Sequence, residues 1–95
     1  MAPSSTSLED EALEFANSLR RLAGLSPRDV LSLGRPQDSC HCPIARTAGA
    51  GWAVTQHVAC RWERGLLKDT VATPPAVARF IDAFDAGELP ALVIP

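Results

Sequence analysis

Residues 52–65 read Trp52-Ala53-Val54-Thr55-Gln56-His57-Val58-Ala59-Cys60-Arg61-Trp62-Glu63-Arg64-Gly65. The fold class turns on this stretch. Trp52, Val54, Val58, Cys60 and Trp62 share one parity, and Ala53, Thr55, His57, Ala59 and Arg61 the other. Side chains alternate across a strand, so the pattern predicts one half-buried strand. Polar Gln56 is the single interruption of its apolar face. Glu63-Arg64-Gly65 predicts a hairpin turn, and Leu66 to Ala72 supplies the return strand.

Toward the C-terminus, Thr73 as N-cap and Pro74 at the first helical position predict a helix. Its apolar face is Ala76, Val77, Phe80, Ile81 and Phe84, and Gly87 closes it. The apolar tail from Leu89 to Pro95 should lie along the core or a partner. Upstream, Gly49-Ala50-Gly51 ends a short helix that opens at Pro43 with Cys42 as N-cap. Arg35 to Ser39 reads as a loop. Ser26, Pro27 and Asp29 fit the N-cap, N1 and N3 positions of another short helix, with Val30, Leu31 and Leu33 apolar and Gly34 as its end. Ser7 caps the first helix, whose stripe is Leu8, Ala12, Phe15, Ala16, Leu19, Leu22 and Ala23, stopped by Gly24. Small polar residues 1–6 have nothing to bury and are expected to be disordered. The expectation is an α+β fold: three N-terminal helices, a two-stranded β-hairpin and a C-terminal helix in one domain over residues 7–95.

A chain of 95 residues holds one modest core, and a hydrophobic fraction of 46% suits a folded globular protein. No apolar run reaches the roughly 18 residues of a membrane span, so no membrane partner is expected. Met1 to Ser7 lacks the basic and apolar regions of a secretory leader. Three cysteines make an odd count, which fits a reducing, cytoplasmic compartment better than a disulfide framework. The net charge of −2 is unevenly spread. Residues 1–19 carry four acidic and no basic side chains; residues 20–68 carry eight basic against three acidic, a local +5. Such a basic middle either pairs with acidic neighbours or meets an anionic partner.

The residues richest in chemistry are Cys40-His41-Cys42-Pro43-Ile44-Ala45. Cys40, His41, Cys42 and Cys60, with His57, are potential zinc ligands, but Cys-x-Cys is tighter than the usual knuckle. His57 and Cys60 also face opposite sides of a regular strand. A thiol at a helix N-terminus meets unpaired amides that lower its pKa, which makes Cys42 a candidate redox switch; the plainer role is a helix cap. A Gly-rich phosphate loop, a nucleophile elbow and paired carboxylates are all missing, so the chain reads as non-enzymatic, with no cofactor and no small-molecule substrate.

Two binding readings remain. Three helices and a hairpin match the order of a winged helix-turn-helix, with Arg46 on the recognition helix and Arg61, Arg64 and Lys68 on the wing. The acidic pI of 5.5 weighs against strong phosphate binding. The favoured reading is a small non-enzymatic binding or regulatory module that acts through contact with another protein or a second copy of itself. Trp62, Arg61 and Arg64 are its contact residues, since Trp and Arg commonly anchor interfaces.

Two segments also carry a resemblance. Asp38 to Thr47, centred on Cys42-Pro43-Ile44-Ala45-Arg46, and Thr73 to Leu89, with Phe80-Ile81-Asp82-Ala83-Phe84-Asp85-Ala86-Gly87, resemble small uncharacterised actinobacterial and actinophage proteins. Those share a Cys-Pro-(Ile/Leu)-Ala helix start and a C-terminal Phe-x-x-x-Phe-Asp-x-Gly helix. The resemblance covers roughly residues 26–90 and implies no activity. It matches Cys42 to the family's single cysteine and makes Cys40, His41 and Cys60 departures from the pattern. One Lys against eight Arg agrees with a high-GC source.

Overall fold

The computed structural model describes residues 7–95. The disorder expected for residues 1–6 lies outside the described residues. Helix α1 spans Leu8–Leu22 and is capped by Ser7, whose hydroxyl accepts the Asp10 N–H at 3.1 Å. Glu9, Asp10 and Glu11 fill its first turn and Arg20 and Arg21 its last, in line with the helix dipole. Ala12, Phe15, Ala16 and Leu19 form its buried stripe. Helix α2 (Pro43–Ala48) is buried apart from Arg46. Helix α3 (Pro75–Asp85) buries Val77, Phe80, Ile81 and Phe84. The two phenylalanine rings stack with centroids 6.3 Å apart. Burial of each contributes about 2 kcal/mol. Helix α1 packs against both α2 and α3.

The strands are β1 (Trp52–Val54), β2 (Val58–Glu63) and β3 (Leu66–Ala72), paired antiparallel in the order β1-β2-β3. The expected fold class is therefore corrected on two counts. The sheet has three strands rather than two, and the described residues hold three α-helices rather than four.

The single strand predicted from Trp52 to Trp62 is a hairpin. Thr55 closes it: its backbone N–H and its hydroxyl both donate to the Val58 carbonyl, and the hydroxyl accepts the N–H groups of His57 and Val58. The polar Gln56 lies in this turn. The reversal pairs Val54 with Ala59 and Trp52 with Arg61. Cross-strand partners share a face, so Ala59 rather than Val58 or Cys60 joins the core beneath Trp52 and Val54.

The helix predicted from Ser26 to Gly34 is an irregular segment. Its backbone groups are satisfied by side chains from elsewhere. The Asn17 amide brackets Arg28, donating to its carbonyl and accepting its N–H. Buried Arg20 donates from Nε to the Ser26 carbonyl at 2.5 Å and from Nη1 to the Thr47 carbonyl at 2.9 Å. The Thr47 hydroxyl accepts the Ser32 N–H at 2.8 Å. Val30 and Leu33, expected to supply apolar contacts, are exposed. Gly34 meets the tail: its N–H donates to the Leu92 carbonyl, and its carbonyl accepts the Ile94 N–H. A Cβ on Gly34 would come within 2.4 Å of the Pro43 nitrogen, so this crossing admits no side chain. Leu89, Leu92 and Val93 then pack on the core.

Helix α3 starts one residue later than predicted. Pro74 is its N-cap, and the Thr73 hydroxyl instead donates to the Thr55 carbonyl at 2.8 Å.

Candidate functional site

Strand β1 is only three residues long, so it supports β2 no further than Arg61, with one more bond from the Trp62 N–H to the Gly51 carbonyl. Beyond that point β2 and β3 pair only with each other and form an arm. A bulge sits in it, since Arg61 pairs with Asp69 while Trp62 pairs with Leu67, leaving Lys68 unopposed. The arm ends in a two-residue turn in which Arg64 (φ 54°) and Gly65 (φ 79°) both take positive φ, as the right-handed twist of a tight hairpin requires. Trp62, Leu66 and Leu67 are exposed on it, at 49%, 63% and 50%.

At the arm's root lies a groove of about 530 Å³. Trp62 of β2 forms part of its wall; Ala45 and Arg46 of α2, the Gly49-Ala50-Gly51 connection, and Trp52 and Ala53 of β1 supply most of the rest. Cys40 and His41 also line it. No carboxylate is among these lining residues. His41 Nδ1 lies 2.9 Å from Asp38 Oδ2. Asp38 Oδ1 accepts the Cys40 N–H at 3.1 Å. The hydrogen bond from His41 holds the Asp38 carboxyl below its usual value of 3.8. Arg46 is exposed and makes no side-chain hydrogen bond or ion pair among the described residues. Trp52 is 3% exposed, and its indole Nε1–H is buried with no acceptor among the described residues.

The sequence-derived candidates separate accordingly. Cys40, His41, Arg46 and Trp62 come together around the groove. Cys42 does not; it borders a different cleft with Asp38, Val54, Ile81 and Asp85. It is the N-cap of α2, its sulfur accepting the Ala45 N–H at 3.4 Å. Burial pushes its thiol above the ordinary value of 9.0, and the helix amides only partly oppose this. Of the two readings of Cys42, this geometry matches the cap, since desolvation outweighs the end of a six-residue helix. Cys60 sits half-buried on β2 in register with Ala53 and Thr70. Among the described residues no three His, Cys, Asp or Glu side chains converge as metal ligands, so the set Cys40, His41, Cys42 and Cys60 does not assemble.

The nucleic-acid set fares similarly. The winged-helix order loses its second helix, and α2 is too buried to enter a groove. Arg61 is tied to Asp69 at 2.7 Å, and Lys68 lies 3.9 Å from Glu63. That leaves Arg46 and Arg64 without an ion pair among the described residues.

Sequence reasoning missed Trp52 as a wall of the site, and Leu66 and Leu67 as exposed. The small residues Gly49-Ala50-Gly51 beside a tryptophan were the available signal for the groove.

Fold and site together define a small α+β domain with a two-stranded arm and a groove at its root. Comparison with family models, curated proteins and solved structures found no match. No helix among the described residues is long and apolar enough to cross a membrane.

Proposed function

We propose that this chain is a non-enzymatic binding module that docks on another protein through the arm and the groove at its root. One observation carries the reading. Trp62 and Leu67 stand opposite each other in the β2–β3 register, and each is about half exposed. A folded domain gains little stability from apolar side chains held in water, whereas a contact surface uses them as anchors. Arg64 at the tip and Arg46 at the root add polar groups on either side. Arg61 serves the arm itself by pairing with Asp69, so the contact set becomes Trp62 and Leu67 with Arg46 and Arg64.

The double variant Trp62→Ser, Leu67→Ser tests this. Urea unfolding should shift by no more than about 1 kcal/mol, as for surface positions. A partner retained from cell extract by the immobilised wild-type domain should be lost. Loss of the fold, or unchanged retention of that partner, would contradict the proposal.

A further inference from the structure

We infer, resting on the binding-module reading, that the groove takes an acidic segment of the partner protein: an apolar side chain flanked by carboxylates. Two features of the wall converge on this chemistry. Trp62, Trp52, Ala45, Ala50 and Ala53 make an apolar lining, and about 530 Å³ is the size of a cleft that receives a side chain with its neighbours. The charge in the wall is of one sign. Arg46 has no counter-ion among the described residues, His41 is already held by Asp38, and no carboxylate faces the groove.

An apolar side chain flanked by a carboxylate answers both features. The carboxylate accepts from the Arg46 guanidinium in a charge-assisted bond. The apolar side chain beside it lies against Trp62. The basic local charge of residues 20–68 reduces to a sharper statement. Arg61 and Lys68 are engaged with acids on the arm and Arg20 with carbonyls inside the domain. Of the remaining basic side chains, Arg46 is the one that lines the groove.

The test is a titration of the ¹⁵N-labelled domain with acetyl-Glu-Asp-Phe-Asp-Glu-amide, followed at the Trp52 and Trp62 indole N–H signals. Controls are the same peptide with Gln and Asn in place of the acids, and with Ala in place of Phe. Saturable shifts of both indole signals are expected. Binding should weaken at least tenfold for either control peptide and at least tenfold for Arg46→Gln, the size expected for one charge-assisted contact. Addition of salt should weaken the acidic peptide further. Equal binding of the amide control, indifference to Arg46→Gln, or no titration by the acidic peptide at millimolar concentration would overturn the inference. So would indole shifts that depend on protein concentration alone, since a second copy would then fill the groove. These outcomes leave the Trp62/Leu67 test untouched, so the two proposals fail separately.

Discussion

Cys42 carries two opposing influences, and the competition between them decides its chemistry. The start of α2 offers its sulfur an amide, which favours the thiolate. Burial at 3% exposure favours the thiol, and burial prevails. Cys42→Ala removes a cap and leaves a small void, at a cost of about 1–2 kcal/mol in urea unfolding. Cys42→Ser keeps the capping acceptor and should cost less. Because the folded pKa is raised, the protonated thiol is the form that folding favours. This contribution is fully present below pH 9.0 and is lost as pH rises through the folded value. Iodoacetamide should label exposed Cys40 first, half-buried Cys60 next and Cys42 last, read by mass spectrometry of the native protein. Labelling of Cys42 ahead of Cys40 would contradict the burial argument. Cys42 as cap was legible from the proline that follows it, but its burial was not, because nothing in six residues says which face of a helix start meets the core.

At the scale of elements, what could be read tracks how locally each element is determined. Helices α1 and α3 carry apolar stripes at helical spacing and fold as the pattern indicates, and β3 ends at the predicted residues. The two failures share a cause. Thr55 and the Ser26–Gly34 segment both owe their conformation to hydrogen bonds that periodicity does not register. The alternation from Trp52 to Trp62 was real, but Gln56 marked a reversal rather than a blemish, and the reversal moved Cys60 off the core face. In the irregular segment, Asn17 acts as a surrogate peptide group for Arg28 from one turn of α1. Asn17→Ala should speed amide hydrogen exchange across residues 25–33 while exchange in α3 stays slow, with a global cost of about 1–2 kcal/mol. Uniform acceleration throughout the chain would mean the segment is not a separately held unit.

For the whole molecule, the division is between a body that buries its aromatics and an arm that does not. Phe80, Phe84 and Trp52 lie within the core, whereas Trp62, Leu66 and Leu67 stand in water. The bulge and Lys68 disturb the outer edge of β3, a device that discourages open-ended strand pairing. Trp62 could be named from the sequence as a candidate for contact, but the groove could not. Its walls come from α2, β1 and β2, and only the unforeseen hairpin at Thr55 brings Trp52 and Trp62 to one place.

The most direct measurement is photo-crosslinking in the native cell from a diazirine side chain placed at position 62, with position 21 on the exposed side of α1 as reference. A discrete crosslinked protein from position 62 and none from position 21 is the predicted result. No adduct from position 62, or the same products from both positions, would contradict the assignment of the arm and its groove as the binding surface.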